Sequence, residues 1–132
     1  MSEPLPDDAK ALLDSKVYVT LATVNEDGSP QLTVHWVTRD GDDILLSTIR
    51  GRRKERNLRR DPRVSVLAIN PDDPENYLEA RGSVTVTEEG GVDLINELNE
   101  KYRGVRPYPL LAQQAQRVVV RLKPEHVVWR VL

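Results

Sequence analysis

The stretch that decides the fold reads STIRGRRKERNLRRDP and covers residues 47–62. It begins inside an apolar strand, residues 44–49, passes through Gly51 and continues as a short basic helix. Asp61 ends this helix because the residue before a proline is disfavoured in the α region. Between Arg50 and Arg63, eight side chains are Lys or Arg and two are acidic, in a protein of net charge −2. The positive charge of the chain is therefore concentrated in one place.

This basic stretch has three interpretations. A strand end, a glycine turn and a helix start supply backbone N–H donors and the positive end of a helix dipole, with Arg52, Arg53 and Lys54 in the first turn. That arrangement favours a bound phosphate. The alternatives are a solvated basic face, since Leu58 is the one apolar residue of the helix, and a contact with the phosphate backbone of a nucleic acid. The residues alone leave all three open, although a net negative charge argues against nucleic acid.

Length and composition limit the remaining possibilities. A chain of 132 residues predicts a single domain, residues 1–132. It has no cysteine, which excludes disulfides and thiolate metal ligands, and His35 and His126 are too few for a histidine-built metal site. No apolar run approaches the ~20 residues of a membrane span, and the first eight residues are acidic and proline-bearing, unlike a signal peptide. We therefore expect a cytoplasmic protein that binds no metal and no membrane.

Alternating and β-branched residues predict strands throughout the chain. The predicted strands are residues 17–24, 31–38, 44–49, 63–69, 77–87, 117–122 and 127–132. The first three, joined by tight turns, predict an antiparallel meander whose third strand leads into the basic helix. Gly82 lies inside the fifth strand and predicts a bulge or bend, and Pro124 is predicted to separate the last two. Residues 5–13 and 92–102 predict helices, and residues 110–116 a helical turn.

These elements predict a mainly β (α+β) domain: a small antiparallel barrel of six to seven strands with peripheral helices. The strands carry more apolar positions than such short helices can bury. We therefore expect a homodimer that covers the rest.

Several short segments, in the order in which they occur here, resemble segments of the pyridoxamine-phosphate-oxidase-like split β-barrel family. The matching segments are LATV (21–24), DGSPQ (27–31), VHWV (34–37), LLST (45–48) and RRKERNLRRDPR (52–63). The similarity is greatest to the branch that uses the deazaflavin coenzyme F420, and YLEARG (77–82) is similar to a strand of that branch. Lys101-Tyr102-Arg103, followed by Pro107 and Pro109, is similar to a subgroup that reduces biliverdin. The resemblance covers residues 17–87 well and the last third loosely.

The resemblance implies a split β-barrel homodimer with two cofactor sites at the subunit interface, and it assigns roles to ten residues. Arg52, Arg53 and Lys54 would hold the phosphate of the cofactor, Ser47 and Thr48 its phosphate or ribityl oxygens. Asn57 would brace the turn, Val34, His35 and Trp36 would lie along the ring, and Tyr77 of the other subunit would close over it. For Trp36 and Tyr77, packing in the core or the dimer interface is an equal alternative.

The resemblance implies an enzyme whose chemistry belongs to its cofactor. The expected function is an F420-dependent reductase that transfers a hydride between the deazaflavin and an unsaturated or conjugated small molecule. An FMN oxidase or reductase of the same fold and a cofactor-binding protein without turnover are the alternatives. No catalytic side chain is assigned, and Tyr108 and Arg106 are candidates for assisting a proton transfer.

Overall fold

The computed structural model describes residues 2–131, in which the chain forms seven strands and four helices. The strands are β1 (Val19–Val24), β2 (Pro30–His35), β3 (Thr38–Asp40), β4 (Asp43–Ile49), β5 (Arg63–Ile69), β6 (Tyr77–Thr87) and β7 (Arg117–Arg130). The helices are α1 (Asp7–Asp14), α2 (Arg53–Arg60), α3 (Gly91–Arg103) and α4 (Leu111–Gln114). The predicted helices and the helical turn are thus all present, with ends shifted by a few residues. Leu132, the last residue of the predicted seventh strand, lies outside the described residues.

All strands belong to one antiparallel sheet in the order β2-β1-β5-β6-β7-β4-β3. β2 ends at His35 and β3 begins at Thr38, although these two strands form opposite edges of the sheet. Two residues can bridge opposite edges only if the sheet curls until those edges meet. The fold is therefore a split antiparallel β-barrel, as the sequence predicts, and the split lies where β2 leaves off and β3 begins.

The predicted three-strand meander is wrong. β2 pairs with β1 alone, whereas β4 pairs with β7, whose residues lie some 70 positions further along the chain. The alternating pattern of residues 31–38 hides a break at Trp36 and Val37, where the chain crosses from one edge of the sheet to the other.

The predicted separation of the last two strands at Pro124 is also wrong, because β7 runs unbroken from Arg117 to Arg130. The pairing of β7 with β4 stops at Leu122, so beyond that residue β7 is paired with β6 alone. Pro124 lies in this part of the strand, where its missing N–H breaks no hydrogen bond to a second neighbour. The predicted irregularity at Gly82 is confirmed. The β6–β7 register shifts between Arg81 and Gly82, and a Cβ at Gly82 would lie 2.6 Å from the carbonyl oxygen of Lys123.

The barrel interior holds the main core, to which α1 contributes Ala9, Leu12 and Leu13 and α2 contributes Leu58. A second, smaller cluster lies outside the barrel, where Leu94, Leu98 and Tyr102 of α3 pack on β4 and β7. No helix within residues 2–131 is long and apolar enough to cross a membrane.

One face of the sheet stays open and carries apolar side chains among charged ones such as Glu79 and Arg81. Alternation along the paired strands β2, β1, β5, β6 and β7 places a row of side chains on the side away from the barrel interior. We call this row the outer sheet face: Leu32, Val34, Leu67, Ile69, Tyr77 and Val128. Leu32 and Val34 are 66% and 69% exposed, so this face is uncovered within a single chain.

Candidate functional site

One side of helix α2 is anchored in the protein. Leu58, Asn57 and Glu55 are all buried. The Asn57 amide donates to Thr23, Asn25 and Gln31 at 3.0–3.2 Å, which fixes the helix to the hairpin of β1 and β2. The Glu55 carboxylate accepts the Gly51 N–H at 2.9 Å and pairs with Arg59. The interpretation of α2 as a solvated face therefore holds for the outer side of the helix, where most of the basic side chains are exposed, while the inner side is fixed to the barrel.

Most of the basic side chains of the stretch already have partners within the chain. Arg50 and Arg63 pair with Glu88 and Asp61, Arg59 pairs with Glu55, and Arg56 and Arg60 donate to backbone carbonyls of Gly51 and Val24. Within the described residues, the side chains of Arg52 and Arg53 have no such partner, and Lys54 has only the ring of His35. Three of the eight basic side chains are thus without a carboxylate or carbonyl partner, whereas Arg56 and Arg60 are held in place but keep their charge.

A cleft of about 270 Å³ lies between the N-terminus of α2, the ends of β2 and β4, and helix α3. Its polar end is formed by Ser47, Thr48, Arg52 and Lys54, and Arg117 of β7 faces the same space. Its wall is formed by Tyr18, Val34, Trp36, Ile95, Leu98 and Tyr108. The structure therefore brings together seven of the ten residues assigned from the sequence, with His35 between the two ends.

His35 is a neutral link across the split of the barrel. Its ring is hydrogen-bonded to the backbone of Ser47, which joins the end of β2 to β4. Its Nε2 lies 2.9 Å from Oγ1 of Thr33 and 3.3 Å from Nζ of Lys54. Burial, followed by the charge of Lys54, lowers the pKa of His35 from 6.5 to about 4. At neutral pH the ring is uncharged, so it can accept from the Lys54 ammonium without repelling it.

Trp36 serves both the cleft and the packing of α3. Its ring stacks on Tyr102 with centroids 5.1 Å apart and planes 8° from parallel, and the Arg103 guanidinium lies 5.5 Å from its centroid. The Tyr102 hydroxyl donates to the Val17 carbonyl and accepts from the Val37 N–H at 3.0 Å. These contacts fix the wall of the cleft to helix α3. Trp36 is therefore packed on one side and faces the cleft on the other.

Four residues that line the cleft were not assigned from the sequence, and Arg117 is the charged one beside Tyr18, Ile95 and Leu98. Arg117 opens an apolar run, RVVV, and such an arginine resembles an ordinary solvated strand end. In the structure it lies within reach of Tyr108 and Ser47, and its charge contributes to lowering the pKa values of His35 and Lys54. The only signal for it in the sequence is the absence of a neighbouring carboxylate in residues 111–122.

Three of the assigned residues lie outside this cleft in the single chain. Arg53 and Asn57 face a separate recess beside the turn at residues 25–29, and Asn57 is bonded to Asn25 of that turn and not to the glycine turn before α2. Tyr77 begins β6 on the outer sheet face, consistent with its assignment to the site of another subunit. Of the two proton-transfer candidates, Tyr108 lines the cleft, whereas Arg106 pairs with Glu100 at 2.6 Å.

The composition of the cleft fits a ligand with one anionic end and one flat apolar end. Arg52, Lys54 and Arg117 all face it, and its lining contains no carboxylate in the part of the chain that the structure describes. Because the Glu55 carboxylate occupies the Gly51 N–H, side chains and the hydroxyls of Ser47 and Thr48 provide the donors there, in place of the glycine-turn amide that the sequence indicates. A phosphate on the arm of a flavin-like ring satisfies these donors and charges.

Comparisons with known proteins agree with this geometry. A family model described as pyridoxamine 5'-phosphate oxidase matches residues 5–128. A solved structure named F420 reductase is 33% identical, with a TM-score of 0.84 over 94% of this chain and 98% of that one. A conserved hypothetical protein from Mycobacterium tuberculosis is 26% identical, with a TM-score of 0.76 over 96% of this chain and 84% of that one. A pyridoxamine 5'-phosphate oxidase-like structure from Listeria innocua, 22% identical with a TM-score of 0.72 over 93% of this chain and 95% of that one, shares the fold. This chain belongs to the pyridoxamine 5'-phosphate oxidase family.

Proposed function

We propose that the protein is an F420-dependent reductase that acts on an unsaturated or conjugated small molecule. The observation that carries this proposal is the cleft itself, in which three cations without a lining carboxylate adjoin a wall containing Trp36 and Val34. The 33% identity to a protein named F420 reductase supports the deazaflavin over other ring cofactors.

In this proposal the residues of the chain bind and orient. Lys54 and Arg52 hold the phosphate, with Ser47 and Thr48 donating to its oxygens or to the ribityl chain, and Val34 and Trp36 fix the plane of the ring. The bound deazaflavin supplies the hydride. His35, with a pKa of about 4, is uncharged at neutral pH and acts as a wall and a brace.

Tyr108 is the side chain placed to assist a proton transfer. Its oxygen accepts an N–H of Arg117 at 3.2 Å, which leaves the phenolic O–H free to be donated into the cleft. A Tyr108→Phe variant that binds the dye normally but turns over more slowly would support this role.

The proposed functional unit is a homodimer that joins two outer sheet faces. Val34 belongs both to that face and to the wall of the cleft, so a second copy seated on the face would cover the open side of the cleft. A volume of about 270 Å³ is at the lower end of small-molecule pockets, which commonly measure ~300–1,000 Å³. A second subunit, with its own Tyr77, would supply the missing enclosure.

The test is a fluorescence titration of the purified protein with F420 and with FMN in parallel. We expect saturable binding of F420 at micromolar or lower concentration, with weaker binding of FMN. Tighter binding of FMN, or a yellow protein from a host that lacks F420, would favour the second candidate, an FMN oxidase or reductase of the same fold. Binding of neither dye would contradict both candidates.

A further inference from the structure

Arg117 is an unusually placed arginine. Its Nε is buried and has no hydrogen-bond partner. Its two other nitrogens make only the long contacts of 3.4 Å to Oγ of Ser47 and 3.2 Å to the hydroxyl of Tyr108. Within residues 2–131 the guanidinium has no carboxylate partner. Arg117 as a whole is partly exposed, but a buried donor that is left without an acceptor is costly, so this arrangement needs an explanation.

Arg121, four residues further along β7 and on the same side of the strand, shows the ordinary arrangement. Its guanidinium pairs with Asp43 at 2.8 Å and Asp40 at 3.1 Å. Both arginines therefore have similar backbone settings, and they differ in that Arg121 has its anions within the chain.

Tyr108 and Ser47 hold Arg117 towards the cleft. The ring of Tyr108 lies under the guanidinium, 5.2 Å from ring centroid to Cζ. Tyr108 is itself fixed because its N–H donates to Oδ1 of Asn96 at 2.8 Å, the same oxygen that accepts from Gln114. The loop at residues 104–109 thus supports the guanidinium from one side and Ser47 from the other.

We infer that Arg117 is a further ligand of the anionic group in the cleft, acting from β7 on the side opposite the N-terminus of α2. Arg117 and Lys54 are close enough for the charge of Arg117 to disfavour the protonated form of Lys54. A phosphate bound between them would neutralise both positive charges. Its oxygens would accept hydrogen bonds from the free N–H groups of the guanidinium. This inference rests on the proposed function for the identity of the dye but not for the chemistry of the anion.

The test compares dyes with and without their phosphate in wild type, Arg117→Gln and Arg117→Lys. FMN is paired with riboflavin, and F420 with its phosphate-free deazaflavin nucleoside. Loss of a charge-assisted contact predicts at least about a ten-fold weaker binding of the phosphorylated dye to Arg117→Gln. Riboflavin and the nucleoside should bind wild type and variant within about two-fold. Arg117→Lys should be intermediate, since it keeps the charge without the planar fork.

Arg121→Gln is the matched control, and it should leave the affinity for every dye unchanged. An equal loss for phosphorylated and phosphate-free dyes, or no loss for either, would overturn the inference. Thermal unfolding with and without inorganic phosphate provides a readout that needs no dye. Phosphate should raise the melting temperature of wild type more than that of Arg117→Gln. If wild type binds neither dye, the proposed function fails, whereas an equal phosphate shift in both proteins defeats the inference about Arg117.

Discussion

The cationic end of the cleft is built from single side chains, and their removal can be tested directly. Replacing Arg52 and Lys54 together by Ala should weaken dye binding by ~2–4 kcal/mol, from ~1.5–3 for each charge-assisted contact with allowance for non-additivity. Fluorescence titration measures this change. Arg53→Ala is the control from the same helix. Because Arg53 faces a different recess, its removal should cost less than about 1 kcal/mol, and an equal effect of both variants would contradict the assignment.

His35 makes the stability of the protein depend on pH. The unfolded chain takes up the proton near its ordinary pKa of 6.5, whereas the folded protein does so only near 4. Between these values the unfolded state binds more protons, so the free energy of unfolding falls as the pH falls, by up to about 3 kcal/mol from this residue. Urea unfolding of wild type and His35→Asn at pH 7 and 4.5 should show a smaller loss in the variant. Equal losses would contradict this account.

At the level of single residues, the sequence identifies side chains whose chemistry is local and misses those placed by distant pairing. Ser47, Thr48, Arg52 and Lys54 share one short stretch, so their grouping is visible in the sequence. Arg117 reaches the same cleft only because β7 pairs with β4, a contact between segments some 70 residues apart. Counting charges along the sequence also cannot show that Arg50 pairs with Glu88 or that the Val24 carbonyl holds Arg60, because these partners come from other parts of the chain.

The Tyr102 hydroxyl helps to attach helix α3 to the barrel split, beside the Lys101 ammonium, which donates to the Leu13 and Val37 carbonyls. Tyr102→Phe removes the group that bonds the Val17 carbonyl and the Val37 N–H, and it leaves two buried backbone groups unpaired. We expect a loss of ~1–3 kcal/mol in the free energy of unfolding, measured by chemical denaturation. Tyr18→Phe is the control, because Tyr18 is 58% exposed, and it should change the free energy by less than about 0.5 kcal/mol.

The start of α3 touches the backbone of β7 at Arg117. A Cβ on Gly91 would lie 2.0 Å from the Arg117 carbonyl oxygen, so Gly91→Ala must push the helix and the strand apart. Overpacking of this kind costs ~1–3 kcal/mol, and dye binding should also weaken because Arg117 is displaced. Thermal unfolding and titration check both effects. Val92→Ala, at a half-exposed position next to it, should leave both unchanged.

Helices and strands that are set by their own residue pattern could be predicted from the sequence. Those whose length depends on the strands beside them could not. The helix predicted for residues 92–102 is present as α3, Gly91–Arg103. The full length of β7 was not predicted, because a proline normally ends a strand. Pro124 does not end β7 because β4 no longer pairs with it beyond Leu122.

The proposed dimer can be broken on the outer sheet face. Leu32→Glu places a charge on an apolar surface that would be covered in the dimer, and desolvation of an unpaired carboxylate costs several kcal/mol. The dimer dissociation constant should rise at least about 100-fold, measured by analytical ultracentrifugation. Val105→Glu alters an equally exposed apolar residue in the loop after α3 and should leave assembly unchanged. A wild-type protein that stays monomeric at all concentrations would contradict the proposed assembly.

The barrel class followed from strand number, short turns and apolar patterning, but the order of strands did not. Pairings such as β4 with β7 depend on how the whole sheet curls, and no local pattern of residues 44–49 identifies its distant neighbour. The position of the split therefore could not be predicted from the alternation of apolar and polar residues. Trp36 and Val37 continue the alternation of β2, although they no longer pair with β1.

The two residues between β2 and β3 also limit how the molecule can admit a guest. An extended chain spans ~3.3–3.6 Å per residue, so this connection keeps the two edges of the sheet close together. The hydrogen bond from the His35 ring to the backbone of Ser47 is a second link between them. The two edges of the sheet therefore cannot move far apart at this point. We expect their spacing here to stay unchanged when a ligand binds.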